Sequence, residues 1–341
     1  MTEFYLLPPV LYDNRGNMRR AGFEFEFGNL PIAKASTALQ TALGGELETI
    51  SPFEAVIHDS QVGRLKIERD ADLLKSRRYL KLLSAVGLDA KPGSLVHELE
   101  TNLDSASRTL VPCEVVTDPI RLDRLEQLDT LVATLNQLGA EGTQDSLVYA
   151  FGLHINASLP APDPSTVLRY IQAFLLLNGW ILDQANTDRT RRYLTRYIDP
   201  FPQEYMELSL DNSYQPDAGR LVEDYMRFNP TRNRGLDMLP ILSGLNPEAV
   251  HSGLNPDEVR LVKARPAFHY RLPDCKVNEP GWTVAAPWNR WIYIETLASD
   301  RTLLAELIDA WREHNSRVTL ARNARWIFTL TSLLSHKFFT R

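Results

Sequence analysis

Cysteine is almost missing from this chain: 341 residues carry two, Cys113 and Cys275. So few thiols exclude a Cys-rich zinc or iron–sulfur site, and a secreted fold of this size would not depend on one possible bridge. Long apolar runs are missing too. The longest, Ala173 to Leu182, is interrupted by Asn178 and Gly179 and is too short to cross a bilayer. The opening Met1-Thr2-Glu3-Phe4 lacks the basic start and apolar stretch of a secretory leader. The expectation is a protein of the reducing cytoplasm with no membrane partner. Positive charge is not in surplus either. A formal net charge of −6 argues against nucleic acid as the main partner. The sequence also has no glycine-rich Lys-Ser/Thr phosphate loop, no Gly-x-Gly-x-x-Gly after a strand, no His-Glu-x-x-His and no Gly-x-Ser-x-Gly. Any nucleotide would then be held through metal ions on a sheet, not on a helix N-terminus.

What is present is alternation. In Phe23-Glu24-Phe25-Glu26-Phe27 a β-strand puts three phenylalanines on one face and two glutamates, about 7 Å apart, on the other. Neighbouring anions repel unless a cation lies between them, and hard carboxylate oxygens suit Mg²⁺ or Mn²⁺. Taken alone, the phrase also fits an amphipathic strand with its glutamates in water. Other short strands repeat the pattern. Arg64 to Asp70 sets Leu65 and Ile67 against Lys66, Glu68 and Asp70; Leu110 to Val116 contains Glu114. Val148 to Asn156 sets Leu153 and Ile155 against His154 and Asn156. Ala267 to Leu272 carries His269 and Arg271, and Trp291 to Glu295 reads as a further strand with Glu295 at its end.

Helical spacing is expected over Pro31 to Leu43, ended by Gly44-Gly45, and over Leu122 to Leu138. Thr166 to Asp183 is apolar nearly all round and reads as a central packing helix. Asn246-Pro247-Glu248 and Asn255-Pro256-Asp257 are the same N-cap device used twice. No linker divides the chain, so one α+β domain spanning residues 1–341 is expected, with 301–341 a C-terminal helical extension.

If these strands share a sheet, its polar face gathers acids, two histidines and an arginine, a set suited to divalent cations and a polyphosphate. His154 alone, or His269-Tyr270-Arg271 alone, fits an ordinary structural strand better than a ligand site. Arg232 and Arg234, in Asn229-Pro230-Thr231-Arg232-Asn233-Arg234-Gly235, either reach a phosphate or substrate carboxylate or form an exposed basic loop.

The chain resembles the putative amidoligase family, carboxylate–amine ligases related to glutamine synthetase and glutamate–cysteine ligase. The resemblance rests on Gly22-Phe23-Glu24-Phe25-Glu26-Phe27, Leu43-Gly44-Gly45, Glu68-Arg69-Asp70-Ala71-Asp72-Leu73, Glu114-Val115-Val116-Thr117-Asp118-Pro119 and Gly152-Leu153-His154-Ile155-Asn156, with Arg192-Tyr193 and Tyr197 after the long helix. These run in family order. One departure stands out: the family's late Glu-x-Arg reads His269-Tyr270-Arg271 here.

The resemblance implies a glutamine-synthetase-like catalytic domain, a mostly antiparallel curved sheet with a polar concave face and helices packed on the other. It implies an ATP-dependent ligase working through an acyl phosphate. Glu24, Glu26, Glu68, Asp70, Glu114, His154 and His269 are then the metal candidates. Arg271, Arg232, Arg234 and Lys66 are the candidates for the ATP phosphates, and Arg271, Glu24 and Glu114 for catalysis. Small-molecule or peptide carboxylates and amines would be the substrates, and a glutaminase or another ligase a functional associate. A metal-dependent hydrolase and a catalytically lapsed relative acting as a binding module remain alternatives.

Overall fold

Phe23, Phe25 and Phe27 have no exposed surface, and burying them is what holds the first strand in place. In the computed structural model that strand, β1 (Arg20–Phe27), leads an α+β architecture with mostly antiparallel strands. Residues 4–69, 112–143, 151–184, 198–316, 326, 327 and 330 are described. The chain divides into two compact units. The first comprises Met1–Tyr5, Arg20–Asn156 and Pro273–Ala286; the second comprises Leu6–Arg19, Ala157–Leu272 and Pro287–Arg341.

The first unit holds an open sheet. Its strands are β1, β2 (Glu46–Ser51), β3 (Glu54–Ser60), β4 (Gly63–Arg69), β5 (Cys113–Thr117), β6 (Ile120–Arg121) and β7 (Leu153–Ala157, whose last residue falls in the second unit). They lie in the order β2-β3-β4-β5-β1-β7, and β6 pairs with the start of β1. Ala55, Ile57, Leu65, Ile67, Val115 and the three phenylalanines form a buried apolar face. Helix α1 (Ile32–Leu43) packs over β2, β3 and β4 and against α2 (Leu128–Gln137), burying Ile32, Ala35, Leu39 and Leu43. Gly44 and Gly45 end α1 at positive φ, and a Cβ on Gly45 would stand 2.3 Å from the His58 carbonyl oxygen. The helix expected over Leu122 to Leu138 is broken: Leu122–Gln127 is a 3₁₀ stretch with a non-helical Arg124, and only then does α2 run. Both cysteines are buried free thiols.

The second unit is mainly helical. Its centre is α3 (Pro164–Gln184), which carries thirteen buried residues. Around it come α4 (Gln203–Ser209), α5 (Ala218–Phe228), α6 (Leu239–Leu245), α7 (Pro247–Gly253), α8 (Pro256–Val259), most of α9 (Ala285–Ser299) and α10 (Arg301–Ser316). Asn246 and Asn255 cap α7 and α8 through their side chains, as the repeated Asn-Pro-acid phrase anticipates. The strand expected over Ala267 to Leu272 shrinks to β9 (His269–Tyr270), paired with β8 (Leu236–Asp237).

One expectation is overturned. Trp291 to Glu295 is not a strand but the middle of α9. Trp288, Trp291, Ile292, Ile294, Glu295, Leu297 and Ala298 are all buried, so nearly every face of this helix is covered and the sequence loses its helical period. Aromatic and branched residues then imitate a strand. Glu295 is therefore on no sheet face. It is fully buried, 2.7 Å from the Arg19 guanidinium, and accepts further hydrogen bonds from Tyr170 Oη and Trp291 Nε1, each at 2.8 Å. Burial alone would lower the Arg19 pKa, but Glu295 holds it above the ordinary value. No helix among the described residues is long and apolar enough to cross a membrane.

Asp70, Asp72, Leu110, Val111, Val148 to Ala150, Arg192, Tyr193 and Tyr197 lie outside the described residues, as does most of the expected helix beyond Ser316.

Arg19→Met is expected to cost about 3–5 kcal/mol, because it strands the buried Glu295 charge. The Arg19→Met/Glu295→Leu pair is expected to recover most of that loss. Denaturant midpoints of wild type, both single variants and the double variant measure the coupling.

Candidate functional site

The strand registers of the first unit line up acids. Glu26 lies opposite Glu114, Glu114 opposite Glu68, and Glu68 opposite Glu54. Directly opposed residues share a face, so four glutamates from β1, β5, β4 and β3 stand abreast on the side away from the phenylalanines. Unit like charges about 5 Å apart at an effective dielectric of about 20 repel by roughly 3 kcal/mol, an upper figure for part-exposed side chains such as these. Such a row needs positive charge.

At its outer end that charge is built in. Lys66 Nζ lies 2.7 Å from Glu68 Oε2 and 3.4 Å from Glu54 Oε1. Partial burial would lower the Lys66 pKa, but the hydrogen bond and charge of Glu68, with Glu54, raise it. At the inner end the neighbours come from β7. The Gly152 N–H donates to Glu26 Oε2 at 2.7 Å, and Asn156 Nδ2 donates to Glu24 Oε1 at 2.7 Å. His154 Nδ1 lies 2.9 Å from Glu24 Oε2, while its Nε2 lies 3.6 Å from Glu26 Oε1. A Cβ on Gly152 would sit 3.1 Å from His154 Nε2 and 3.3 Å from Glu26 Oε2, so this position favours glycine.

The His154 geometry suits a hard cation. With Nδ1–H donated to Glu24, a neutral ring turns the Nε2 lone pair toward Glu26. Two ligand atoms each about 2.1 Å from a shared ion and spread by 90–120° are about 3–3.6 Å apart. Glu24, Glu26 and Glu114 add carboxylate oxygens of the type Mg²⁺ and Mn²⁺ take. The donor set fits such an ion.

The second unit holds another polar centre. Asp237 is fully buried; His269 Nδ1 lies 3.1 Å from its Oδ2, and Arg232 Nε lies 3.5 Å from the same oxygen. Its other oxygen accepts from the Leu239 N–H at 3.0 Å. Burial would raise the carboxyl pKa, but the hydrogen bond from His269 and the charges of His269, Arg232 and Arg271 hold it below the ordinary range. Arg271 donates to the Arg232 carbonyl at 2.8 Å. Arg234 is buried, lies over the Phe201 ring, and donates to the Pro200 and Phe228 carbonyls.

The structure thus brings Glu24, Glu26, Glu68, Glu114, His154 and Lys66 onto one face of the first unit. It groups Arg232, Arg271 and His269 around Asp237 in the second. Sequence reading missed Glu54 and Asp237. For the first no local signal was available, since Glu54 is followed by three buried apolar residues with no alternation. For the second the signal was an acid placed directly after the Arg232-Asn233-Arg234 loop.

The family model described as putative amidoligase enzyme matches residues 17–293. The chain belongs to the putative amidoligase family. That membership points to a ligase-type enzyme, and the match includes every acid of the row. No curated protein matches the chain.

Titration with Mg²⁺ or Mn²⁺ is expected to raise the melting temperature, by about 2.7 kcal/mol of stability at a hundredfold excess over Kd. The Glu24→Gln/Glu26→Gln variant is expected to fold and to lose this response. Differential scanning calorimetry with and without a chelator reads both.

Proposed function

We propose that the chain is an ATP-dependent carboxylate–amine ligase with a glutamine-synthetase-like catalytic sheet, joining a small-molecule or peptide carboxylate to an amine. The observation that carries this reading is the row Glu26-Glu114-Glu68-Glu54 beside the Glu24–His154 pair, within a chain of the amidoligase family. A sheet face that concentrates carboxylates is poor at binding an anionic nucleotide directly and well suited to doing so through cations.

Glu24, Glu26, Glu68, Glu114 and His154 would hold Mg²⁺ or Mn²⁺. Bound there, the ions would supply charge neutralisation for the phosphates of ATP. The proposed chemistry is an exchange of two bonds. A carboxylate oxygen of the substrate attacks the γ-phosphorus and ADP leaves, giving an acyl phosphate. The amine nitrogen then attacks the acyl carbon, and phosphate departs with the nitrogen's proton; Glu24 and Glu114 are the proposed catalytic carboxylates, through the ions they would hold. Arg271 is the proposed electrostatic group for the charge on the transferred phosphoryl, with Arg232 in support. Lys66 is proposed to keep the outer acids compatible with folding and to contribute a positive charge toward phosphate.

His269 favours a second reading. It stands where the family has glutamate, and its ring is engaged by Asp237. A relative that keeps metal and nucleotide binding but has lost ligation would look like this.

The test is phosphate release from ATP with Mg²⁺ and pools of carboxylates and amines. The ligase reading expects release that needs both acceptor classes. It also expects a fall of about 100-fold or more in Glu24→Gln/Glu26→Gln and in Arg271→Ala. Nucleotide binding by calorimetry without any turnover would favour the lapsed relative, and hydrolysis that proceeds without ATP would sink both.

A further inference from the structure

A cavity of about 330 Å³ opens in the second unit, between the start of α3, the start of α10 and the loop around Tyr214. It shares no lining residue with the Asp237 centre. Ser165, Leu168, Arg169 and Gln172 follow one stripe of α3, and Arg301, Leu304 and Ile308 follow one stripe of α10. These spacings are what two helices need to present a continuous wall. The volume is at the lower end of the roughly 300–1,000 Å³ typical of ligand sites.

The wall carries two cations and no carboxylate. Arg169 is held by three neutral acceptors: Ser165 Oγ at 2.8 Å, Thr166 Oγ1 at 3.0 Å and the Ala298 carbonyl at 3.0 Å. Its guanidinium pKa is lowered, first by burial and then by the like charge of Arg301. The Arg301 guanidinium makes no hydrogen bond or ion pair with any described residue. Arg301 is also the first residue of α10, where a cation opposes the helix dipole. Neither helix formation nor ion pairing accounts for an arginine there. Asp163 is the acid whose charge acts on Arg169, and its Oδ1 accepts from the Thr166 N–H; Asp300 accepts from the Leu303 N–H, Asp309 from Asn212, and Asp224 from the Tyr214 hydroxyl.

Gln172 adds a second requirement. It is only 6% exposed, and its Nε2 donates to the Ser209 carbonyl at 2.8 Å, which fixes the orientation of the amide. Its Oε1 accepts no hydrogen bond from a described residue. Lining the cavity with no described partner, that oxygen can accept a hydrogen bond from a ligand. Leu168, Leu304 and Ile308 supply an apolar floor.

We propose that this cavity binds a small organic anion: a carboxylate with an adjacent hydroxyl donor and a short apolar body. The carboxylate is paired by Arg169 and Arg301, the donor is taken by Gln172 Oε1, and the body rests on Leu168, Leu304 and Ile308. Arginine suits this role because its planar fork pairs carboxylates bidentately. The site is separate from the acidic sheet face and needs neither metal nor nucleotide.

Mandelate has all three features, phenylacetate lacks the hydroxyl, and inorganic phosphate lacks the apolar body. Calorimetry on the full chain in chelator is expected to give saturable mandelate binding with Kd below about 1 mM, and weaker binding of phenylacetate and phosphate. Arg301→Gln, at an exposed position and so without effect on folding, is expected to weaken mandelate about tenfold, and Arg169→Gln at least as much. The Glu24→Gln/Glu26→Gln variant is expected to bind mandelate unchanged, which separates this site from the metal face. No binding of any probe at about 1 mM would overturn the proposal. So would equal affinity in Arg301→Gln, or loss of mandelate binding in Glu24→Gln/Glu26→Gln.

Discussion

Like charges set side by side on a sheet are the constraint around which the first unit is organised. Cross-strand register puts Glu26, Glu114, Glu68 and Glu54 in one line, and a register slip of one residue would disperse them. That slip is prevented from the opposite face, because the same shift would turn Phe23, Phe25 and Phe27 into water. The apolar core thus supplies the free energy that keeps the anions together, about 1.5–3 kcal/mol for each large side chain buried. Lys66 offsets the outer acids from within the fold. The inner acids meet an imidazole, an amide and a backbone N–H. The outer end of the row thus carries its own cation, and the inner end carries none.

The second unit treats charge differently. Arg19 and Glu295 are both fully buried and held in place by Tyr170 and Trp291. A pair this satisfied has no capacity left for a substrate, and its role is to define the packing around α3 and α9. Asp237 and His269 form a second buried pair, but one flanked by the arginines Arg232 and Arg271. The cavity at Arg169 and Arg301 is a third arrangement, with two positive charges on a wall that carries no carboxylate.

The amidoligase resemblance was legible because its motifs are local. Glu24 and Glu26 need only a period of two to share a face, Gly44-Gly45 needs only positive φ, and Asn-Pro-acid needs only a helix start. The α+β class followed from the same short-range signals, and the mostly antiparallel sheet from the resemblance. Glu54 escaped because its importance lies in register with three other strands, which no single segment encodes. Asp237 escaped because burial, not pattern, makes it notable. Trp291 to Glu295 misled because a helix covered on nearly all sides has no polar face to set its period.

What the sequence by itself determined was which residues alternate, where the Gly44-Gly45 stop and the two Asn-Pro helix starts fall, and which family the chain resembles. Those properties depend on neighbours a few positions away. The tertiary structure alone decided that four glutamates stand abreast, that Glu295 meets Arg19 across 276 positions of chain, and that Arg169 and Arg301 face one cavity. Such juxtapositions arise from packing distant apolar surfaces together, and the partners of a charge are chosen by that packing.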